Sequence, residues 1–208
     1  MSWWRKRAVD AHRWVVLDVE SSGLDPKRDR LLAIAAVALR VDTPTPQLVP
    51  GDSFEVLLRQ PSVEVDRANI LLHGIGVGAQ AAGTEPREAL EAFERWVGDA
   101  PLLGFHVAFD EALIQREMRA VLGRKLANAW LDIAPIAEVL KPGAGGKSLD
   151  DWMTLLDIRC AQRHQAAADT WATAEVLQKL WPLARSHARE LDFAAFERIA
   201  AQRRWLAG

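Results

Sequence analysis

Two acidic side chains stand at the end of the first buried-strand pattern in the sequence. Residues 14–17 are all apolar and run directly into Asp18, Val19 and Glu20. Because successive side chains of a strand alternate between its two faces, Asp18 and Glu20 are expected on the same side. Adjacent carboxylates repel each other unless a cation lies between them, and hard divalent ions such as Mg²⁺ prefer carboxylate oxygen. The pair therefore indicates a cation site, although a solvated acidic strand end would have the same sequence.

A short polar turn follows the acidic pair. Residues 21–30 are rich in Ser, Gly, Pro and charged side chains, which is typical of a turn. Within it, Ser21, Ser22 and Gly23 bend the chain sharply. We expect this bend to leave backbone N–H groups free near the two carboxylates.

Two later segments bring further acidic residues. An apolar run that starts at Leu102 leads to Asp110 at the start of a predicted helix, where a plain helix cap is an equally good interpretation. His164 precedes Asp169 by five residues, about 1.4 helical turns, so the two would not share a face of one ideal helix. His164 can approach Asp169 if it lies in the loop before that helix. A carboxylate on the helix's otherwise apolar face needs a metal or another partner to compensate its burial.

The elements that must position these residues follow from the apolar periodicity. Strand patterns occupy five segments: 14–17, 31–39, 53–58, 101–104 and 130–133. Helical patterns occupy four longer segments: 86–97, 109–122, 165–181, which Pro182 ends or kinks, and 186–203. We expect a loop over 41–51, an irregular or short-helical segment over 62–82, and a capping box formed by Ser148 and Asp151. This order predicts an α/β fold with a mixed five-stranded sheet, three antiparallel strands followed by parallel ones, flanked by helices.

The composition limits the classes of protein that this chain can represent. Its 208 residues suit one α/β domain, and the formal net charge is -2. This charge argues against the broad basic surface of a protein that coats duplex DNA, but not against binding of a strand end. The single cysteine, Cys160, excludes an internal disulfide and suits a reducing cytoplasm. The first residues are too polar for a signal peptide and no apolar run is long enough to span a bilayer, so we predict a cytoplasmic protein with no membrane partner.

The three acidic segments together resemble the motifs of a known enzyme family. Asp18-x-Glu20 before Ser-Ser-Gly, Phe109-Asp110 and His164-x4-Asp169 are similar to the three motifs of the DEDDh, or DnaQ-like, exonucleases, in the family's order over residues 14–181. That family includes the proofreading epsilon subunits of bacterial DNA polymerase III. The resemblance implies a ribonuclease H-like fold and phosphodiester hydrolysis at a 3′ end. It also implies two Mg²⁺ or Mn²⁺ ions held by Asp18, Glu20, Asp110 and Asp169, with His164 as general base.

The same resemblance suggests which residues bind the substrate. His73 lies in a segment similar to the family's His-Gly-Ile, which lies near the substrate 3′ end, although a plain turn residue is an equally good interpretation. Apolar and aromatic side chains can stack on any base, but Phe109 suits the core better. The substrate-binding candidates are Ser21, Ser22, Gly23, Leu24, His73, Phe105 and Phe109.

The chain departs from the family pattern at two places. Ser21 and Ser22 stand where two threonines are common, and Phe105-His106 stands where His-Asn is usual. The related DEDDy branch uses a tyrosine in the third motif, and this chain contains no tyrosine. His164 is therefore the candidate for that role.

These observations predict a 3′→5′ exonuclease that acts mainly on single-stranded DNA in proofreading or repair and releases nucleoside 5′-monophosphates. Two alternatives stay open: an exoribonuclease that trims RNA, and a non-catalytic binding module of a replication complex. The enzyme could work alone or as a DNA polymerase subunit, and the sequence does not predict its oligomeric state. We divide the chain into an N-terminal extension (1–12), an exonuclease domain (13–183) and a C-terminal helix that packs on it (184–208).

Overall fold

One mixed sheet lies at the centre of the structure, a computed structural model that describes residues 10–60, 70–71, 73–160 and 163–205. In the order β3-β2-β1-β4-β5, the first three strands are antiparallel and the last three are parallel. The predicted mixed five-stranded sheet is confirmed. The strands are β1 (Arg13–Ser21), β2 (Leu31–Arg40), β3 (Gln47–Leu57), β4 (Leu102–Gly104) and β5 (Trp130–Asp132).

Helices cover both faces of this sheet. They are α1 (Val77–Ala82), α2 (Pro86–Val97), α3 (Ala108–Leu122), α4 (Ile133–Leu140), α5 (Leu149–Leu155), α6 (Ala166–Ala184) and α7 (Phe193–Ala201), and a 3-10 turn (Gln202–Trp205) follows the last. None of the helices within the described ranges is long and apolar enough to cross a membrane.

The alternation of β1 divides the interior into two cores. Trp14 and Val16 face α4, α6 and α7, whereas Val15 and Leu17 face α2 and α3. On the first face, the Trp14 and Trp181 rings meet edge to face with centroids 5.5 Å apart. By the same alternation Asp18 follows Trp14 and Val16, so β1 directs this carboxylate toward the face that α6 covers.

The C-terminal helix closes the first core. Phe196 of α7 stacks on Trp181 of α6, with ring centroids 4.6 Å apart. The Asp192 carboxylate accepts a hydrogen bond from the Ala195 N–H at 2.7 Å and caps the helix. The prediction of a helix from residue 186 was therefore wrong at its start, because the cap sets the first turn at Phe193.

Two proline positions account for the other differences from prediction. The predicted loop over 41–51 is wrong in its second half, because β3 begins at Gln47. The pairing of β3 with β2 shifts register between Val37 and Ala38, so residues 50–52 bulge out and Pro50 donates nothing to the ladder. Helix α6 passes through Pro182 and ends two residues later, where loss of one N–H breaks only a last-turn bond. Of the predicted irregular segment, 62–69 and 72 lie outside the described residues.

Candidate active site

The site begins where β1 ends and the first turn of α3 approaches it. The Cα of Asp18 lies opposite that of Ala35 on β2. A Cβ on Gly104 would lie 3.2 Å from the Leu17 carbonyl oxygen and 2.8 Å from a methyl group of Val107. Only glycine lets β4 and the start of α3 approach β1 this closely. The approach brings the second acidic segment to Asp18 and Glu20.

Asp110 binds the backbone between these two acidic residues. Its carboxylate is buried, and Oδ1 accepts a hydrogen bond from the Val19 N–H at 3.1 Å. The residue at the N-cap of α3 is Val107, whose side chain makes no capping bond, so Asp110 lies inside the first turn rather than at the cap. Burial raises the pKa of Asp110 to about 7. The hydrogen bonds that its carboxylate accepts from two backbone N–H groups, those of Asp110 and Val19, lower it.

Asp169 comes from the opposite face, on the first turn of α6. The neighbouring Thr170 hydroxyl donates to the Ala35 carbonyl oxygen at 3.2 Å and fixes this helix on β2. The His164 N–H donates to Asp169 Oδ2 at 3.2 Å. His164 has a left-handed backbone with φ 61°, and it precedes the helix, which begins at Ala166. The condition for His164 to reach Asp169 is therefore met, and its imidazole is exposed to solvent.

An arginine that the sequence analysis missed contacts the same carboxylate. The Arg163 guanidinium forms an ion pair with Asp169 Oδ1. Its Nε lies 2.5 Å from Asp150 Oδ1, at the start of α5. The sulfur of Cys160 lies 4.0 Å from Asp169 Oδ1. The one sequence signal for Arg163 was its position next to His164, because a residue there must lie near the third motif.

The carboxylates share one electrostatic environment. Burial first, and then the charges of Asp110, Asp169 and Glu20, raise the pKa of Asp18 well above its usual value. Burial and the Asp169 charge raise the pKa of Glu20 to about 8. Arg163 opposes the shift in both cases. Four acidic groups from three separate segments therefore lie close enough to repel one another.

The donor set has the chemistry of a divalent cation site. Carboxylate oxygens are the ligands that Mg²⁺ and Mn²⁺ prefer. Glu20 Oε1 is buried and has no hydrogen-bond partner among the described residues. Within the same residues, no three acidic, His or Cys groups are already arranged to hold one ion. Arg163 and the His164 N–H engage the two oxygens of Asp169. The residues fit such an ion by their chemistry.

The turn after β1 uses most of its polar groups internally. The Ser21 hydroxyl donates to the Gly23 carbonyl oxygen at 2.6 Å, and the Ser22 hydroxyl donates to Asp29 at 3.1 Å. The Ser22 N–H donates to the Arg30 carbonyl oxygen at 3.0 Å, so the expectation of a free N–H is wrong at this residue. Leu24 at the tip is 90% exposed, although apolar side chains are usually covered.

His73 lies next to the third motif and is itself buried. A Cβ on Gly74 would lie 4.0 Å from the Gln165 amide nitrogen, beside His164. His73 Nδ1 accepts a hydrogen bond from the Ile75 N–H at 2.9 Å, as a turn residue would. Its Nε2 is buried without a partner in the described ranges, and burial lowers the pKa of the imidazole. The nitrogen is thus closed off from solvent, and a ligand would reach it only after a local rearrangement.

The two phenylalanine candidates belong mainly to the interior. Phe105 and Phe109 are half-buried and pack against the two different cores. The Phe105 ring also meets the His106 ring edge on, with centroids 4.8 Å apart. Neither residue presents a whole free face for stacking.

A cation-lined cavity of about 620 Å³ adjoins this region. Its walls include His106, Lys141, Lys147 and Arg203, together with Glu138, which pairs with Arg203 at 2.6 Å. The His106 N–H donates to Asp132 Oδ1 at 2.9 Å, and the Asp132 charge adds to burial in raising the pKa of Asp110. The cavity and the carboxylates therefore adjoin through Asp132, which also caps α4.

A family model described as an exonuclease, RNase_T, matches residues 15–177, which include all four carboxylates. The chain belongs to this exonuclease family. The structure of this exonuclease is similar to that of exonuclease I of E. coli in a zinc-bound complex with single-stranded DNA. The TM-score is 0.68 with 18% identity over 84% of this chain and 43% of that chain. The expected ribonuclease H-like fold is thereby confirmed.

Two relatives of the exonuclease are named after DNA polymerase III. One is a DNA polymerase III subunit epsilon-like protein of Rhodobacter capsulatus, 30% identical over 84% of this chain and 24% of that protein. The other is a PolC-type DNA polymerase III of Bacillus cereus, 29% identical over 82% of this chain and 12% of that protein. The chain thus spans a quarter or less of these relatives.

Proposed function

We propose that this exonuclease removes nucleotides one at a time from the 3′ end of single-stranded DNA and releases nucleoside 5′-monophosphates. The observation that carries the proposal is the convergence of Asp18, Glu20, Asp110 and Asp169 on one site. The pKa values of Asp18, Glu20 and Asp110 are raised there, and the Arg163 guanidinium contacts Asp169. Such a site suits two Mg²⁺ or Mn²⁺ ions as cofactors.

The side chains of the site would divide the chemical work. When bound, divalent ions supply charge neutralisation at the phosphate and lower the pKa of water. Asp18, Glu20, Asp110 and Asp169 would hold these ions. His164 would accept a proton at its exposed imidazole, while its backbone N–H stays on Asp169.

Three features around the carboxylates favour a single strand as substrate. Buried His73 lies beside the third motif, where a local rearrangement would let its Nε2 contact a terminal nucleotide. Exposed Leu24 offers an apolar surface to a base, since stacking and wedging contacts do not depend on sequence. Lys141 and Lys147 in the adjoining cavity offer positive charge to the phosphates upstream. The similar exonuclease I structure, which contains single-stranded DNA, supports the same class of substrate.

The named relatives support a role in DNA proofreading or repair, as a stand-alone enzyme or as a DNA polymerase subunit. The activity would reside in residues 13–183, with the C-terminal helix packed against them. A cytoplasmic location stays a prediction from the single cysteine.

The direct test is a time course with a single-stranded DNA oligomer labelled at either end. A 3′ label should appear at once as a mononucleotide, whereas a 5′ label should pass through a descending ladder. Both should require Mg²⁺ or Mn²⁺. Asp18→Asn and Asp169→Asn should lose hydrolysis while their circular dichroism spectra stay native, and Asp42→Asn, at an exposed carboxylate, should keep full activity.

An RNA oligomer of the same sequence in the same reaction distinguishes the first alternative. Faster loss of RNA would replace the DNA proposal with an exoribonuclease. Binding of both oligomers without turnover under any divalent ion would replace it with a non-catalytic module.

A further inference from the structure

The Arg163 guanidinium contacts one carboxylate of the acidic cluster in this structure. It forms an ion pair with Asp169, one of the four acidic residues that would hold the divalent ions. We propose that Arg163 is an internal counter-ion that competes with the divalent cation for Asp169 and withdraws onto Asp150 when the cation binds. This inference rests on the proposed function, because it concerns the same site.

The two carboxylates that Arg163 contacts lie in different environments. The Asp169 side chain is 9% exposed and belongs to the acidic cluster. The Asp150 side chain is 57% exposed and lies on α5, outside that cluster. Arg163 Nε and Nη2 lie 2.5 and 3.4 Å from the two oxygens of Asp150. The guanidinium can therefore keep one partner when it gives up the other.

Competition follows from where the guanidinium lies. It contacts Oδ1 of Asp169, while Oδ2 accepts the His164 N–H. A Mg²⁺ ion needs its oxygen ligands at about 2.0–2.1 Å. A guanidinium on the same oxygen takes up one of its lone pairs and adds like-charge repulsion. Contact of Arg163 with Asp169 Oδ1 therefore opposes the binding of a cation to this carboxylate.

The same geometry explains how the four acidic groups coexist without a bound ion. Buried carboxylates without a compensating charge destabilise a fold. Arg163 supplies one positive charge directly to Asp169 and acts at longer range on Asp18 and Glu20. The counter-ion thus stabilises the metal-free protein and weakens its affinity for the cation.

Asp150 has a defined part in this exchange. It attracts the guanidinium away from Asp169 and so favours cation binding. Loss of Arg163 and loss of Asp150 should therefore change metal affinity in opposite directions. If Asp150 acts through Arg163, its loss should have little effect once Arg163 is gone.

The test is a Mn²⁺ titration of the full chain, in which the electron paramagnetic resonance signal of the free ion reports binding. We expect Arg163→Gln to bind Mn²⁺ at least fivefold more tightly than the wild type. Asp150→Asn should bind it at least threefold more weakly, and the double variant should match Arg163→Gln within twofold. Arg159→Gln removes an exposed arginine four residues earlier and should change affinity less than twofold.

Stability without metal provides a second measurement. In EDTA, Arg163→Gln should melt several degrees below the wild type, and saturating Mn²⁺ should close the difference. Arg163→Lys keeps the charge but cannot present a planar fork to two carboxylates. Its affinity for Mn²⁺ should therefore lie between those of the wild type and Arg163→Gln. It replaces Arg163→Gln in the titration if that variant does not fold.

The outcomes separate this inference from the proposed function. Unchanged or weaker Mn²⁺ binding by Arg163→Gln overturns the inference. The proposed function stands in that case as long as the wild-type protein binds Mn²⁺. An equal loss of affinity on Asp150→Asn with and without Arg163 also overturns it, because Asp150 would then act by its own charge. A wild-type protein that binds no Mn²⁺ overturns both.

Discussion

The Thr170 hydroxyl donates a hydrogen bond of 3.2 Å to the carbonyl oxygen of Ala35. Both partners are buried, and they join α6 to the strand beside β1. Ala35 is the cross-strand neighbour of Asp18, and Thr170 follows Asp169 directly. This bond therefore ties the third acidic segment to the strand that pairs with the first.

The bond makes Thr170 a positioning residue for Asp169. Thr170→Val keeps the shape but removes the donor, and we expect a loss of about 1–2 kcal/mol in the free energy of unfolding. Hydrolysis at saturating Mg²⁺ should fall severalfold, because α6 is no longer fixed at Ala35. Urea denaturation and single-turnover rates measure the two effects. Thr170→Ser keeps the hydroxyl and should retain the rate; equal rates for Thr170→Val and wild type would refute the role.

A second prediction concerns stability against pH in the metal-free protein. Burial and neighbouring charge raise the pKa of Glu20 from 4.5 to about 8, and burial raises that of Asp110 from 3.8 to about 7. At a pH between the lower, unfolded pKa and the higher, folded pKa of each group, the folded protein binds more protons than the unfolded chain. The free energy of unfolding must therefore fall as the pH rises through this range. In EDTA we expect a melting temperature several degrees lower at pH 8 than at pH 5.

Divalent metal should remove this pH dependence, because the ion compensates the ionised carboxylates. The gain in melting temperature on adding Mn²⁺ should thus be larger at pH 8 than at pH 5. Glu20→Gln offers a matched control with the same shape and no charge. Its metal-free melting temperature should vary less with pH than that of the wild type, and an unchanged slope would contradict the assignment.

A third prediction separates His164 from the carboxylates. Its left-handed backbone, φ 61°, makes Asn a better replacement than Ala, since Asn tolerates this conformation. His164→Asn should lower the hydrolysis rate by about 10²-fold or more, the usual size of general-base catalysis. Mn²⁺ affinity should change less than twofold, because the backbone N–H that binds Asp169 remains. His187→Asn, at an exposed histidine, should change neither the rate nor the Mn²⁺ affinity. Weakened Mn²⁺ binding by His164→Asn would instead make His164 a ligand.

Local patterns predicted the parts of the fold that depend on near neighbours. The apolar run of β2 is buried on both faces, as its sequence indicated. Ser148 and Asp151 form the predicted capping box, with bonds of 3.1 and 2.9 Å between each side chain and the other's backbone. Asp18 and Glu20 could be placed together because strand alternation decides their side without any tertiary information.

Features that depend on distant contacts could not be predicted in this way. The β3 bulge appears only when residues 50–52 are aligned with Val37 and Ala38. The Ser22 N–H is bonded because Arg30 returns to it across the turn. The contacts of Arg163 depend on the positions of three segments in the fold, since Asp150 and Asp169 reach it from two different helices. A single sequence contains no spacing rule for such a meeting.

The last prediction concerns the cation-lined cavity. Lys147 lies in its wall with an exposed side chain, next to the loop glycines. If the upstream phosphates of the strand bind there, Lys147→Glu should raise the KM for a DNA oligomer about fivefold or more and leave kcat unchanged. Added salt should shrink the difference, because screening weakens contacts between cations and phosphates. Lys179→Glu makes the same charge change on the exposed side of α6, outside the cavity wall. An equal rise in KM for both variants would attribute the effect to net charge and remove the cavity from the path of the strand.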